Sequence, residues 1–246
     1  MSAPNLAAHT GAMRTISRII AAKGLDLAGA APANDDQRHT EAPGPGDPTW
    51  HHGARVSDAV RRWKAATPPR YRMAEVTLPR AVAWAEAALA DPTAAGTMLL
   101  TGPTGTGKTY QAFGALRHVA QGGPRRRFEL ITINSADMYG RLRPSQTMGS
   151  AEAELRRLST VQFLLLDDLG TSKVSEWTEE ITYRLFNYRY NHCLPTVITS
   201  NLPARNDNGP DLTDFVGARV ASRLAEMVTE LVPVIGGDLR RGQGAA

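Results

Sequence analysis

The sequence predicts an α/β protein in which helices cover both faces of a parallel sheet. Three observations support this fold class. From about residue 68 onward, short apolar runs alternate with segments of helical periodicity. One run, residues 161–166, is almost entirely apolar, as expected of a central strand that is buried on both faces. A glycine-rich loop, residues 102–109, lies between another apolar run and a helical segment, and strand, loop and helix in this order are typical of such sheets.

The other elements are predicted from their local patterns. Residues 128–133 alternate in polarity and are rich in β-branched side chains, which predicts a strand. Residues 231–234 are expected at a sheet edge, because Pro233 has no N–H to donate within a sheet. Asp211 is the expected N-cap of one helix over 211–227. The apolar stripe of that helix comprises Leu212, Phe215, Val216 and Val220. Strands are also predicted over 97–101 and 195–200, and helices over 80–90, 108–121, 151–158 and around the apolar positions Trp177, Ile181, Leu185 and Tyr188.

The first 66 residues are predicted to form a separate N-terminal segment, mainly helical or disordered, ahead of a main domain over 67–246. A Pro- and Gly-rich stretch predicts a flexible linker over about 25–50. Before it, Met13, Ile16, Ile19 and Ile20 fall on one helical face. After it, a second helical pattern contains apolar positions and a basic side, namely Val56, Val60 and Trp63 with Arg55, Arg61, Arg62 and Lys64. That helix either packs on the main domain with its basic side in solvent or serves as a docking or DNA-contact element.

Composition limits the classes of function. Hydrophobic residues make up 42% of the chain, which is enough for a packed core, and the net charge of +4 is compatible with nucleic acid without requiring it. Aromatic residues make up only 6%, which disfavours broad base-stacking surfaces. The single cysteine, Cys193, excludes a disulfide within the chain and fits a cytoplasmic protein. No apolar run reaches membrane-spanning length, so no membrane association is expected.

The glycine-rich loop fits the P-loop pattern G-x-x-x-x-G-K-[ST] without a mismatch. Backbone N–H groups of such a loop and the positive end of the helix that follows form a site for anions. Lys108 is expected to reach the outer phosphates of a nucleotide, and the Thr109 hydroxyl to ligate Mg²⁺. A glycine-rich turn without a ligand is the alternative interpretation. The predicted nucleotide-binding residues of this segment are Gly102, Pro103, Thr104, Gly105, Thr106, Gly107, Lys108, Thr109 and Tyr110.

Polar residues follow two further predicted strands. Asp167 and Asp168 end the apolar run, which is the Walker B pattern when a P-loop lies upstream. Asp167 is expected to hold the Mg²⁺ shell, and Asp168 to orient or deprotonate the attacking water. Asn201 follows the strand expected beside the P-loop and is the candidate contact to the γ-phosphate or the water. A solvent-facing acidic pair and a turn-forming Asn before Leu202 are the competing interpretations.

Two pairs of arginines are further candidates. Arg219 and Arg223 are four residues apart on a predicted helix and therefore share a face. An arginine there could reach the nucleotide of a neighbouring subunit, or it could lie on a solvated face beside Glu226 or Asp214. Arg240 and Arg241 follow two glycines and are either a phosphate sensor or a basic tail.

These motifs, in this order, resemble the AAA+ ATPases in the branch of DnaC-type helicase loaders and IstB-type transposition helpers. The resemblance covers about residues 66–241 and rests on several separate segments beyond the Walker motifs. These segments are 69–72 (PRYR), 167–173 (DDLGTSK), 177–180 (WTEE), 187–190 (NYRY) and 194–201 (LPTVITSN).

The resemblance implies a P-loop NTPase fold of three α/β/α layers that binds ATP and Mg²⁺. It implies that Lys108 and Thr109 bind phosphate and metal, that Asp167 serves the metal, and that Asp168 activates water. It further places Asn201 at the sensor-1 position, Arg223 at the arginine-finger position with Arg219 in support, and Arg240 near the sensor-2 arginine. Two departures are an Asp at position 168, where many AAA+ proteins have Glu, and a chain that ends too soon after Arg241 for a full helical lid.

The function that the resemblance implies is ATP-dependent loading of a replicative DNA helicase onto single-stranded DNA, for a phage or another mobile replicon. The N-terminal segment is expected to bind the helicase, and the ATPase domain to self-associate and bind DNA. Residues 141–145 and the helix over 151–158 are the predicted DNA contact, with an ordinary surface loop as the alternative. An IstB-like transposition helper and a nucleotide-dependent adaptor without significant hydrolysis are the rival functions.

Overall fold

A computed structural model describes residue 44 and residues 47–143, 148–171 and 175–237. Its described residues form a five-stranded sheet in the order β2-β3-β4-β1-β5, in which every neighbouring pair is parallel. The strands are β1 (Thr97–Thr101), β2 (Leu130–Asn134), β3 (Phe163–Asp167), β4 (Thr196–Ser200) and β5 (Val228–Pro233). The predicted strands are therefore confirmed, with ends that shift by a few residues. β5 lies at the edge, as Pro233 requires.

Helices connect the strands. They are α1 (Pro48–Ala66), α2 (Pro79–Ala90), α3 (Pro92–Ala95), α4 (Lys108–Gln121), α5 (Ser135–Leu142), α6 (Met148–Thr160), α7 (Glu176–Asn191), α8 (Leu212–Val216) and α9 (Ala218–Met227), with a 3₁₀ turn at Pro69–Tyr71. Among the residues that the structure describes, no helix is both long and apolar enough to cross a membrane.

Two apolar cores lie on opposite faces of the sheet. Successive side chains of a strand point to opposite faces, so Met98 and Leu100 join one core and Leu99 the other. The first core contains the aromatic side chains of α1, α2 and α4, and the second is filled from α5 to α9. In β3, Leu164 and Leu165 are fully buried and belong to different cores. The predicted three-layer α/β/α fold is confirmed.

The helix predicted over 211–227 is in fact two helices, α8 and α9, which meet at Gly217. This glycine has φ of +88°, a left-handed value that ends α8. The Glu179 carboxylate occupies the space beside Gly217 and accepts a hydrogen bond from the Arg219 N–H, 3.1 Å away, at the start of α9. Asp211 is the N-cap of α8, as predicted, and forms a capping box with Asp214. The prediction that Phe215 joins the apolar stripe is wrong, because its side chain is exposed on the short α8.

Helix α1 packs on the main domain. Ala59 and Trp63 are buried in the first core, and Trp63 Nε1 donates a hydrogen bond to the Phe113 carbonyl over 3.2 Å. The compact unit begins at Gly44, so α1 belongs with the main domain and not with the N-terminal segment assigned to residues 1–66. The predicted linker over about 25–50 lies largely outside the described residues, and its last three positions, 48–50, belong to α1. The helical pattern over 13–20 lies outside the described residues.

Candidate nucleotide site

Three sheet strands bring the predicted site residues to one edge. The P-loop leaves β1, Asp167 ends β3 and Asn201 follows β4, and these three strands are adjacent. Because the strands are parallel, their carboxyl ends lie together, which is where open α/β sheets bind ligands. The separation of these residues along the chain thus becomes proximity in the fold.

The P-loop has the backbone that a phosphate site needs. Gly107 has φ of +92° and is the N-cap of α4, so the helix starts directly at Lys108. Gly102 has φ of +146° and lies so close to the Val234 carbonyl that no Cβ fits there. The first N–H groups of a helix have no partner within the helix and attract anions. The loop and the start of α4 therefore provide the donors for a nucleotide's phosphates.

Lys108 lies inside the loop. Its side chain is buried, and Nζ donates a hydrogen bond to the Pro103 carbonyl over 2.8 Å. The Thr106 hydroxyl donates to the same carbonyl over 2.9 Å. A buried ammonium is costly unless anionic or carbonyl oxygens surround it. Such a cation at the centre of the loop fits the β- and γ-phosphates of a nucleotide.

A network of oxygen atoms joins the P-loop to β3 and β4. Asp167 Oδ1 accepts hydrogen bonds from the hydroxyls of Thr109, at 3.0 Å, and Thr199, at 2.5 Å. Burial raises the pKa of Asp167, and the Asp168 charge raises it further, whereas the bonds from Thr199 and Thr109 and the Lys108 charge oppose the rise.

The donor set at Thr109 and Asp167 suits Mg²⁺. Hydroxyl and carboxylate oxygens are the ligands that this ion prefers, and it usually takes its remaining ligands from water and phosphate. Over the described ranges, no three His, Cys, Asp or Glu side chains cluster as a metal site. Thr109 and Asp167 could therefore supply two of the oxygen ligands of an ion that takes the others from phosphate and water.

Asp168 is held in a strained backbone conformation. Its φ of +56° is left-handed, which is uncommon for a residue other than glycine. Its N–H donates to Thr199 Oγ1 over 2.9 Å, and its carbonyl accepts from the hydroxyls of Ser135, at 2.7 Å, and Thr171, at 3.0 Å. Strain of this kind is found at functional sites, where the surroundings fix the residue.

The structure brings Asn201 to Asp168. Asn201 Nδ2 donates to Asp168 Oδ1 over 3.2 Å, and Asn201 is half-buried. The turn after β4 is closed instead by Ser200, whose hydroxyl accepts from the Leu202 N–H and donates to the Leu169 carbonyl. The competing interpretation was that Asn201 forms the turn, but its side chain bonds to Asp168 while the Ser200 side chain closes the turn.

Sequence reasoning missed Thr199, which joins Asp167 and Asp168. Its hydroxyl donates to the first aspartate and accepts from the second. A signal was present in the sequence, because Thr199 and Asn201 are two residues apart and therefore on the same face of the extended chain, after the apolar centre of the strand.

Gln111 was also missed. Its side-chain oxygen accepts from the N–H groups of Thr77 and Leu78 and so ties the lead-in segment, residues 69–78, to α4.

Tyr110, the last predicted residue of the P-loop segment, contacts that lead-in segment too. Its hydroxyl donates to the Met73 carbonyl over 2.8 Å, and the residue is 39% exposed. Tyr110 therefore lies directly after the P-loop and is partly open to solvent.

Arg219 and Arg223 belong to α9, and their side chains lie between this helix and α7. The Arg223 guanidinium stands 4.6 Å from the centre of the Tyr190 ring, and that of Arg219 stands 4.7 Å from the Tyr183 ring. Arg223 Nη1 donates to Glu226 Oε2 over 2.5 Å, which is the pairing expected of the solvated-face interpretation. Its Nε is buried and has no hydrogen-bond partner. Arg240 lies outside the described residues.

A protein-family profile and two curated relatives match part of this sequence. The profile of the IstB-like ATP binding protein family matches residues 71–213. The ATP-binding protein of insertion sequence IS1162 from Pseudomonas fluorescens is 33% identical over 107 residues, which are 44% of each chain. That of insertion sequence IS5376 from Geobacillus stearothermophilus is 28% identical over 105 residues, 42% of this chain and 39% of the relative. The chain thus matches less than half the length of either curated relative.

Solved structures show the same fold. The DnaC helicase loader superposes with a TM-score of 0.57 at 23% identity, over 68% of this chain and 100% of that one. DnaI gives 0.55 at 22% identity, over 72% and 98%. The replication initiator DnaA bound to AMPPCP and single-stranded DNA gives 0.54 at 21% identity, over 69% and 51%. The family profile spans more than half of the chain, and the chain therefore belongs to the IstB-like ATP binding protein family.

Proposed function

We propose that this protein is a Mg²⁺-dependent ATPase that loads a replicative helicase onto single-stranded DNA. The observation that carries the ATPase proposal is the convergence of Lys108, Thr109, Asp167, Asp168 and Asn201 at one edge of the sheet. In this arrangement a cation, a hydroxyl, two carboxylates and an amide donor lie at the carboxyl ends of adjacent strands. That set fits phosphoryl transfer from ATP to water.

Each residue has a distinct chemical role. The P-loop N–H groups and Lys108 bind the phosphates, and Thr109 and Asp167 would hold Mg²⁺, which would supply charge neutralisation at the transferred phosphoryl group. Asp168 accepts the proton of the attacking water, and Asn201 fixes the Asp168 carboxylate through the bond to Oδ1. An Asp reaches less far than a Glu would, so we expect slow turnover.

The helicase-loader proposal is supported by the sequence resemblance over about residues 66–241 and by the fold shared with the DnaC helicase loader. Self-association would let Arg223 of one subunit, supported by Arg219, reach the nucleotide of the next. The predicted DNA contact starts at Arg141, whose 57% exposed side chain lies 3.5 Å from Glu154 on α6. Arg143 is exposed, whereas residues 144–147 lie outside the described residues.

A transposition helper is the second candidate. Both curated relatives are ATP-binding proteins of insertion sequences, and the family profile carries the same association. In that case the DNA would be duplex and the protein partner would be a transposase.

Size-exclusion chromatography with light scattering tests the loader proposal. The protein is mixed with the replicative helicase of the same genome, with and without ATP, as the full chain and as residues 44–246. The shortened chain keeps α1, because Trp63 is part of the core. A stoichiometric complex that requires residues 1–43 is the expected result. If no complex forms although the protein binds ATP, the loader proposal fails.

ATP turnover distinguishes the rival functions. We expect hydrolysis that single-stranded DNA stimulates more than duplex DNA. Stronger stimulation by duplex DNA favours the transposition helper. Binding of ATP without turnover under either condition favours an adaptor in which the nucleotide controls only a protein–protein contact.

A further inference from the structure

A basic depression lies between the first half of α1 and the loop over residues 122–129, which joins α4 to β2. We call it the α1 groove. Its volume is about 440 Å³, and its polar lining comprises His51, Arg55, Asp58, Arg125, Arg126 and Arg127. β2 begins directly after this loop, at the amino end of the strand. The α1 groove therefore lies at the amino ends of the parallel strands, whereas the P-loop and Asp167 lie at their carboxyl ends.

The loop that carries these arginines packs closely on α1 and on the sheet. Gly123 has φ of +62°, and a Cβ there would lie 2.7 Å from Val56 on α1, so only glycine allows this close approach. Arg55 Nε donates to the Gly123 carbonyl over 3.3 Å. Pro124 and Phe128 are buried on either side of the three exposed arginines, and the Phe128 ring stacks on Phe163 at 5.0 Å. The exposed arginines thus stand on a packed base.

The acidic residues of this surface leave most of its positive charge uncompensated. Asp58 is already paired with two other arginines of α1, Arg61 and Arg62. Glu129 lies 3.4 Å from Arg127. Within the part of the chain that the structure describes, no ion pair is formed by Arg55, Arg125 or Arg126, although the Arg126 charge acts at longer range on Asp91 and helps to lower the pKa of that carboxyl. These three residues therefore provide a cluster of cations on an open surface.

We propose that the α1 groove binds the phosphate backbone of DNA. An open groove with several exposed arginines suits a polyanion better than a small anion, which needs an enclosed site with buried donors. Its lining holds no Phe, Tyr or Trp side chain except the buried Phe128, and the remaining ring of the lining is that of His51, so contact with phosphates is expected to dominate over stacking on bases. This inference rests on the proposed DNA-directed function, and it adds a contact remote from the nucleotide.

The salt dependence of DNA binding tests this proposal. Fluorescence anisotropy of labelled single-stranded and duplex oligonucleotides is recorded over a series of KCl concentrations. In the variant Arg125→Ala/Arg126→Ala we expect roughly ten-fold weaker binding and a salt slope reduced by about 1.4 for a single strand or about 1.8 for a duplex, if each arginine contacts one phosphate. Arg125→Lys/Arg126→Lys keeps both charges and should retain most of the wild-type slope. The control is Arg205→Glu, which lowers the net charge by the same two units at an exposed position on another loop.

Nucleotide binding is measured in parallel with a fluorescent ATP analogue and should be the same in all these proteins. If wild type binds DNA and the double alanine variant keeps its slope, the α1 groove inference fails while the proposed function stands. An equal loss of slope in the Arg205→Glu control also refutes it, because net charge would then explain the effect. If wild type binds ATP but no DNA, both proposals fail, and an acidic protein surface becomes the remaining partner for the groove.

Discussion

At the scale of single residues, the proposed function makes Asp168 the group on which ATP turnover depends. Asp168→Asn keeps the size of the side chain and an oxygen for Asn201 to bond, but an amide cannot accept the water's proton. We expect steady-state ATP hydrolysis to fall by at least about 100-fold, with ATP binding unchanged. Asp207→Asn, at an exposed aspartate, is the matched control. Turnover near the wild-type rate in Asp168→Asn would show that another group is the base.

Asp167 gives the protein a pH dependence of its own. Its folded pKa is raised, mainly by burial. The protonated form therefore favours folding, and its contribution to stability is complete below the unfolded pKa of about 3.9 and is lost as pH rises through the folded pKa. Without Mg²⁺ and nucleotide, Asp167→Asn should be stabilised relative to wild type as pH increases. Urea denaturation from about pH 4 to pH 7 measures this, and two parallel stability curves would contradict it.

Arg189 is a buried cation that binds carbonyl oxygens without a carboxylate. It donates to Thr196 Oγ1 and to the carbonyls of Leu158, Ser159, Val161, Gln162 and Pro195. Burial lowers its pKa to about 9. Arg189→Met leaves these carbonyls unsatisfied, and we expect a loss of about 3–5 kcal/mol in the free energy of unfolding.

Urea denaturation measures the Arg189 effect. Arg184→Met on the same helix is the control, because Arg184 is on the surface and its ion pair with Glu152 is exposed. A loss below about 1 kcal/mol for Arg189→Met would mean that water replaces the guanidinium at little cost.

At the scale of elements, the break between α8 and α9 positions the two candidate arginines. A Cβ at Gly217 would lie 2.6 Å from Glu179 Oε1, and its φ of +88° is unfavourable for other residues. Gly217→Ala should therefore cost about 1–3 kcal/mol and displace the start of α9. Gly140→Ala, within α5 and with open space around it, should be neutral or stabilising by about 0.5–1 kcal/mol. Thermal and urea denaturation compare the two, and equal effects would contradict the account of Gly217.

The same break explains what the sequence could and could not predict. β3 was predictable because a short, continuous run of leucines is typical of a central parallel strand, which is buried on both faces. The close approach of Asn201 to Asp168 was also predictable, since parallel strands bring their carboxyl ends together. Gly217 was not recognised as a helix break, because the residue that leaves no room for a Cβ there is Glu179, which is far away in the chain. The packing of α1 was undecided for the same reason, as its apolar face does not reveal what Trp63 contacts.

At the scale of the whole molecule, the proposed function gives Arg223 a role between subunits. In the isolated chain its guanidinium is held by Glu226 and Tyr190. A shared active site would require this arginine to leave Glu226 and reach the neighbour's phosphates. Arg223→Ala is then expected to bind ATP but not to hydrolyse it, and wild-type activity per subunit should rise with protein concentration.

Mixing two inactive variants tests whether the site is shared. Asp168→Asn lacks the base but keeps its arginine, and Arg223→Ala lacks the arginine but keeps the base. In a mixed assembly, the arginine of the first variant can complete the site of the second, so the mixture should regain ATPase activity that neither variant has alone. Arg205→Ala mixed with Asp168→Asn gives the control for simple dilution. An arginine that acts only on the nucleotide of its own subunit would leave the mixture as inactive as its two components.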